Sequence, residues 1–178
     1  MAGKFLHFPV ISEGAEYLVM GNLMRRNILA YKAPPRNEGY DLICIHPNPR
    51  HQLAPGELAQ VRVQVKSRYA TDSDRGFPLR ASQLDAFDFL VAVFLNIGNF
   101  FDDYDGTTGR SAPEFYTLPN AFVREHHYGS GGFERVSLQG LEAELEPYKD
   151  EAGFEFIASA LDIPRPSRNN EEDASGER

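Results

Sequence analysis

Three residues in the first half of the sequence carry groups that bind divalent cations and phosphates. Asp41 stands at the start of the apolar stretch Leu42 to Ile45, and Gln64 and Lys66 lie two positions apart in the next apolar stretch. If the two stretches pair as neighbouring strands, a carboxylate, an amide oxygen and an ammonium meet at one strand end. Oxygen ligands suit Mg²⁺, and an ammonium can bind a phosphate oxygen. The spacing therefore predicts a combined metal and phosphate site.

The elements that must position these residues are two strands. Tyr40 to His46 has the composition of a buried strand, and Leu58 to Arg68 alternates apolar with polar residues. Because successive side chains of a strand point to opposite faces, Gln64 and Lys66 share a face and can point at a common site. The apolar residues of the alternation are Ala59, Val61, Val63 and Val65.

A helix is predicted before these strands, from about Ser12 to Leu29. Glu13 and Glu16 are acidic residues near its start, where a negative charge interacts favourably with the helix dipole. Pro34 and Gly39 prevent the helix from continuing. Glu16 lies at the margin of the apolar stripe, close enough to the core to point inward. The apolar positions with helical spacing are Ala15, Leu18, Val19, Met20, Leu23, Met24 and Ile28.

The rest of the chain predicts a mixed α/β domain over residues 1–163, followed by a disordered polar tail at 164–178. Hairpin-joined strands early in the chain and a helical crossover later favour a mixed sheet over a parallel one. The further predicted elements are a short helix Gln83 to Ala86 capped by Ser82, strands Phe87 to Leu95 and Phe115 to Leu118, a helix from Pro119 through Glu125, and helices Leu138 to Tyr148 and Glu151 to Leu161 separated by Pro147.

The charge of the chain is unevenly distributed. The net charge is −8, yet residues 1–90 carry 11 Lys and Arg against 9 Asp and Glu, whereas residues 91–178 carry 7 against 17. The first half can present a basic strip to a nucleic acid, or its arginines can be ordinary solvated surface. These arginines are Arg25, Arg26, Arg36, Arg50, Arg62, Arg68, Arg75 and Arg80.

Composition also bears on the location of the protein. The one cysteine, Cys44, cannot form an internal disulfide, and it lies in an apolar strand as a small core residue. No apolar run reaches the roughly 18 residues of a membrane span. The start of the chain has no sustained apolar segment of a secretion signal. We therefore expect a cytoplasmic protein that does not enter the membrane.

A helix with a glutamate, a strand that opens with aspartate and a strand with Gln-x-Lys together resemble the PD-(D/E)XK nuclease superfamily, which has the restriction-endonuclease-like fold. The matching residues are Glu16, Asp41, Gln64 and Lys66. The resemblance spans about residues 12–97 and implies an αβββαβ core with a mixed sheet flanked by helices. Residues 98–163 would then be a decoration on that core.

The resemblance implies a metal-dependent hydrolase of phosphodiester bonds, a DNA endonuclease in particular, with Mg²⁺ or Mn²⁺ as cofactor. Asp41 would be the main metal ligand, and the Gln64 side-chain oxygen and the Val65 carbonyl would complete the protein ligands. Lys66 would orient the attacking water or stabilise the transition state. Glu16 would hold a metal-bound water or a second ion.

Two positions depart from the family pattern. Tyr40 replaces the proline before the aspartate, at a position that shapes a turn. Gln64 replaces the commoner acidic residue, so the ligand set loses one unit of negative charge and metal affinity should fall.

Two other functions stay open at this point. A nuclease-like fold that has lost catalysis would bind protein or nucleic acid without cutting it, and Gln64 favours that alternative. An unrelated α/β domain would contact a protein partner through its acidic half. For a nuclease, the partner would be nucleic acid, DNA rather than RNA. A homodimer would supply two active centres for a duplex.

Two other motifs have weaker metal-binding potential. Asp103 to Gly109, with Glu114 further on, has some features of a calcium loop, but Thr108 stands where that loop needs glycine. An acidic surface loop fits better. His126 and His127 are adjacent, so their side chains should diverge and not share a metal.

Overall fold

The computed structural model describes residues 9–35, 37–71, 74–97 and 111–165. No helix in these ranges is both long and apolar enough to cross a membrane. The helices are α1 (Pro9–Arg25), α2 (Asn120–Glu125), α3 (Glu142–Leu145) and α4 (Asp150–Ala160), and 3-10 helices lie at Ala81–Gln83 and Glu146–Tyr148. The strands are β1 (Leu29–Lys32), β2 (Leu42–Ile45), β3 (Val61–Arg68), β4 (Gly76–Pro78), β5 (Phe89–Phe94), β6 (Glu114–Pro119), β7 (His127–Tyr128) and β8 (Arg135–Ser137).

The main sheet is mixed and flanked by helices. Within the described ranges it has five strands in the order β1-β2-β3-β5-β6. Among these described strands, β3 and β5 run parallel and the other neighbours are antiparallel. A smaller sheet in the same ranges has the order β4-β8-β7. The mixed α/β class predicted from the sequence is confirmed.

Apolar side chains cover both faces of the main sheet. On one face, Val63 and Val91 pack with residues of α1 and α4 such as Ile157. On the other face, Leu90 and Phe94 pack with the small sheet, α2 and α3. β5 is buried at every position, as its uninterrupted apolar run predicted. The sheet is therefore held rigidly between two layers.

The first helix ends earlier than predicted. Instead of reaching Leu29, α1 stops at Arg25, because Asn27 takes a left-handed conformation with φ 64°. The Ile28 N–H then donates to the Leu23 carbonyl at 3.0 Å, which closes the helix end. Leu29 is consequently the first residue of β1, a strand that the sequence analysis did not predict.

The buried stripe of α1 is also narrower than predicted. Ala15, Val19 and Leu23, spaced by four residues, are fully buried. Leu18 and Met24 are instead 41% and 46% exposed. Ile11 and Met20 are partly buried beside this row, and Glu16 lies at the edge of the contact.

Two predicted helices are wrong in their extent. The helix at Gln83 to Ala86 is instead the 3-10 helix Ala81–Gln83, because the Arg80 N–H donates to Gln83 Oε1 at 3.1 Å and closes a tight turn. Of the helix from Leu138 to Tyr148, only α3 and a 3-10 helix form. Gly140 has a left-handed φ of 76°, which a helix interior does not allow.

The missed strand β1 completes a run of one helix and three strands, α1-β1-β2-β3. The parallel step from β3 to β5 then contains β4 and a 3-10 helix where the resemblance implied an α-helix. β2, β3, β5, β6, α2 and α4 overlap their predicted ranges. Most of the predicted tail lies outside the described residues.

Candidate active site

Asp41 and Gln64 face each other where β2 and β3 stop pairing. The pairing ends with Leu42 opposite Val63, so the next position on each side brings Asp41 opposite Gln64. The Asp41 N–H still donates to the Val63 carbonyl at 2.8 Å. The side-chain amide Nε2 of Gln64 donates a hydrogen bond to Asp41 Oδ2. The carboxylate and the amide are therefore in direct contact.

The backbone of Val65 faces the same carboxylate. Its N–H donates to Asp41 Oδ2 at 2.7 Å and not to a backbone carbonyl of β2. Because the N–H and C=O of one strand residue point to the same side, the Val65 carbonyl faces this position too. It accepts a long hydrogen bond, 3.3 Å, from Gln64 Nε2. Three oxygen-bearing groups thus surround one small volume.

Lys66 brings an ammonium to the same end of β3. It follows Gln64 by two positions and is partly buried. Burial lowers the pKa of the Lys66 ammonium, and the nearby Asp41 carboxylate offsets part of that shift. Within the described ranges, the ammonium makes no hydrogen bond or ion pair. Lys66 is therefore available to bind an anion.

Glu16 lies apart from this contact, on α1, and pairs with a residue that the sequence analysis missed. The Lys32 ammonium of β1 donates to Glu16 Oε2, and Glu13 is a second, weaker partner at 3.8 Å. Burial raises the pKa of Glu16, and the Asp41 charge raises it further, whereas Lys32 lowers it. Glu16 therefore feels the charge of Asp41 without a hydrogen bond to it.

Lys32 was missed because the predicted helix extended to about Leu29 and no strand was predicted between it and Pro34. Two signals were available: basic residues Arg25 and Arg26, and an asparagine at position 27 suited to a left-handed helix end. With the helix ended there, Leu29 to Lys32 is free to form a short strand. Lys32 and Glu16 then face each other across the α1–β1 contact.

The Asp41 carboxylate is poorly solvated because it is largely buried. Burial raises the pKa of the Asp41 carboxyl, and the hydrogen bond from the Val65 amide and the charge of Lys66 only partly offset this. An acid with a raised pKa beside a lysine with a lowered one is typical of sites that bind or transform a ligand. A bound cation and phosphate would compensate both charges.

The donor atoms fit a hard divalent cation. Asp41 provides carboxylate oxygens, Val65 a carbonyl and Gln64 an amide oxygen, the ligand types of Mg²⁺ and Mn²⁺. The Gln64 NH₂ group donates to both the Asp41 carboxylate and the Val65 carbonyl. It therefore occupies the position where a cation bound by these two groups would lie. A half-turn of the amide would present its oxygen there instead. The residues therefore fit such an ion.

Other predicted features have ordinary structural roles. Cys44 is fully buried, and burial raises the pKa of its thiol to about 12. His127 contacts the Leu79 carbonyl at 2.9 Å, whereas His126 lies 3.7 Å from Glu144, so the two imidazoles have different partners. Residues 103–109 of the calcium-like loop lie outside the described residues.

Several arginines of the first half are engaged in ion pairs. Arg26 binds Glu155, Arg62 binds Asp88 and Arg68 binds Asp74. These three are partly neutralised by their partners and contribute less to a basic strip than the sequence count implies. Arg36 lies outside the described residues.

A second cluster was not found from the sequence. His51, Glu57 and Asp162 each offer one metal-binding atom, and these atoms lie within 4.8 Å of one another. His51 and Glu57 belong to the loop between β2 and β3, and Asp162 follows α4. No local spacing connects Asp162 to that loop, so only the fold brings it there.

No protein-family model and no curated protein matches the chain. Among solved structures, it is similar to a bacterial homing endonuclease, I-Ssp6803I, with a TM-score of 0.49 and 14% sequence identity. The similarity covers 88% of this chain and 96% of that one. A likeness at this level does not establish a common fold or a common activity.

Proposed function

We propose that the chain is a metal-dependent nuclease of the PD-(D/E)XK type that hydrolyses phosphodiester bonds of DNA, with Mg²⁺ or Mn²⁺ as cofactor. The proposal rests on one observation: the side chains of Asp41 and Gln64 and the backbone of Val65 converge where β2 and β3 separate. Lys66 adds an ammonium at the same strand end, and this ammonium has no ion-pair partner among the described residues. The assignment to that superfamily depends on the resemblance of these residues and on the α1-β1-β2-β3 order.

Each residue has a distinct role in this proposal. Asp41, the Val65 carbonyl and the Gln64 amide oxygen hold the cation. When bound, it polarises a phosphoryl oxygen and lowers the pKa of a bound water. Lys66 orients the attacking water or stabilises the negative charge that develops on the phosphoryl oxygens. Glu16, kept in place by Lys32, holds a water molecule at the edge of the site.

The experiment is a cleavage assay on duplex DNA, single-stranded DNA and RNA, with Mg²⁺, Mn²⁺ or a chelator. We expect cleavage of DNA that needs the metal. Asp41→Asn removes the charged metal ligand and should abolish this cleavage. Lys66→Ala should lower the rate about 10²- to 10³-fold, since it removes one charge that acts in the transition state.

Lys149→Ala is the matched control for Lys66→Ala. It removes the same charge from a lysine that pairs with Glu114 at 3.3 Å, in a different part of the molecule. The control should cleave as the wild-type protein does. If Asp41→Asn and Lys66→Ala both keep wild-type rates, the site is excluded.

Light scattering with and without duplex DNA would test the homodimer that two-strand cleavage calls for.

The contact of Gln64 favours a second candidate, a binding module that does not cut. The Gln64 NH₂ group satisfies Asp41 and Val65 without an ion, which an acidic residue at position 64 would not do. In that case calorimetry would detect no Mg²⁺ or Mn²⁺ binding at millimolar metal, and nucleic acid or protein would bind without cleavage. Gln64→Glu should then create metal binding.

A further inference from the structure

The second metal-ligand cluster joins two parts of the fold that are far apart in sequence. His51 and Glu57 lie in the loop from β2 to β3, and Asp162 lies just past the end of α4. The Leu58 N–H donates to the Ala160 carbonyl at 3.2 Å, so the loop is already docked on the helix end. A ligand held by all three side chains would strengthen that contact.

The two loop residues are held in place before any ligand binds. His51 Nε2 contacts Glu57 Oε1, and the other carboxylate oxygen of Glu57 accepts the Ala54 N–H at 2.8 Å. The His46 ring stacks on the His51 ring, with centroids 3.8 Å apart and planes 13° from parallel. The Glu57 side chain is only 5% exposed. An imidazole and a carboxylate thus point to one place with little freedom.

Asp162 completes the cluster from the helix side. Its carboxylate is exposed and, among the described residues, has no ion-pair partner. One ligand atom of each residue lies within 4.8 Å of the other two, so small rotations would let one ion contact all three. Glu57 and Asp162 bring two carboxylates together here, and a divalent cation would balance their charges.

We propose that His51, Glu57 and Asp162 form a second metal site, which binds a divalent transition-metal ion such as Zn²⁺. One imidazole nitrogen with two carboxylate oxygens suits zinc, whereas the all-oxygen set of Asp41, Gln64 and Val65 suits magnesium. Three protein ligands leave one position of a tetrahedral ion for water, and the ion ties the loop that precedes β3 to the end of α4. The site does not depend on the proposed nuclease activity.

Zinc titration of the full-length, untagged chain tests this proposal by calorimetry and thermal unfolding. We expect one Zn²⁺ per chain and a higher melting temperature on binding. Asp162→Asn and His51→Gln should each weaken binding about tenfold or more and remove the thermal shift. Asp162→Asn is the decisive variant, because this exposed side chain supports no other contact among the described residues.

Two controls separate this site from others. Asp85→Asn removes an exposed carboxylate that pairs with Arg124 elsewhere and should leave zinc binding unchanged. Asp41→Asn should also leave it unchanged, even though it disables the proposed nuclease site. Zinc X-ray absorption should show one imidazole in the wild-type complex and none in His51→Gln. The proposal is overturned if wild-type protein shows no saturable binding, if Asp162→Asn binds as wild-type does, or if Asp41→Asn abolishes binding.

Discussion

At the scale of single residues, the site combines good hydrogen bonding with poor solvation of charge. Asp41 accepts two hydrogen bonds on one oxygen, Oδ2, yet burial still raises its pKa. Lys66 is shifted in the opposite direction for the same reason. Both groups are therefore held in charge states that the folded protein does not favour.

The first prediction at this scale concerns the charge of Asp41. Asp41→Asn keeps an oxygen that accepts from Gln64 and Val65 but removes the charge, so we expect stability at pH 7 to rise by about 1 kcal/mol. Because the folded pKa lies above the ordinary value of 3.8, protonation stabilises the fold. That stabilisation is complete below the unfolded pKa and is lost as pH rises through the folded pKa.

Urea unfolding of the wild type and of Asp41→Asn between pH 3 and pH 7 would measure this. The extra stability of Asp41→Asn over the wild type should shrink as pH falls below the folded-state pKa of Asp41, since the wild-type carboxyl is then neutral as well. A variant less stable than the wild type at pH 7 would contradict the burial argument.

A second residue-scale prediction concerns Glu16. Glu16→Gln removes the charge partner of Lys32 but leaves Asp41, Gln64 and Val65 in place. We expect a loss of about tenfold in cleavage rate, smaller than that for Lys66→Ala, because Glu16 acts from the edge of the site. Single-turnover cleavage rates of the two variants give the comparison. A loss as large as that of Lys66→Ala would instead assign Glu16 a direct metal contact.

At the scale of elements, the turn before β2 determines where Asp41 lies. Gly39 has a left-handed φ of 104°, and a Cβ there would overlap the Ala86 side chain. Asn37 Nδ2 also donates to the Tyr40 carbonyl at 2.7 Å, which fixes the last step before Asp41. The approach of this turn to the segment before β5 therefore sets the position of the carboxylate.

Gly39→Ala should lower stability by about 2–3 kcal/mol, because it adds an overlap to the strain of a left-handed alanine, and it should weaken metal binding. Gly56→Ala is the matched control, since Gly56 also has a positive φ, 90°, but has open space around it. That variant should lose only about 1–2 kcal/mol. Equal losses in the two variants, measured by urea unfolding, would show that the contact with Ala86 is unimportant.

At the scale of the whole molecule, the side chains of Gln64 and Lys66 lie on the opposite face of the sheet from α4. Ile157 of α4 is fully buried in the cluster that α1 and α4 form on one face of the sheet. Gln64 and Lys66 alternate with the valines of β3 that enter this cluster, so they point the other way. A cavity in α4 should therefore lower stability while the side chains of Gln64 and Lys66 keep their positions.

Ile157→Ala should lower the free energy of unfolding by about 2–5 kcal/mol, since it leaves a cavity in the core. Cleavage rates well below the melting temperature should stay within about twofold of wild type, because the side chains of Gln64 and Lys66 lie outside the buried cluster that contains Ile157. Phe156→Ala, at a neighbouring position that is 37% exposed, should cost less stability. A cleavage rate that falls in proportion to stability would show that the two layers are coupled.

The sequence by itself determined the elements with a strong local signal. The uniformly apolar β5, the alternation of β3 and the proline-started α2 follow from side-chain period and backbone restriction, which act within a few residues. The short strands β1, β4, β7 and β8 carry too few residues for a period to stand out. Their pairing stabilises them, and pairing is a property of the fold.

The same division holds for the candidate site. Alternation alone placed Gln64 and Lys66 on one face, but the contact of Asp41 with Gln64 and with the Val65 amide depends on the register of two strands. Lys32 beside Glu16, and Asp162 beside His51, likewise depend on tertiary packing. Hydrogen bonds and charges act over a few ångströms in space, whatever the separation along the chain, so only the folded structure could decide these partners.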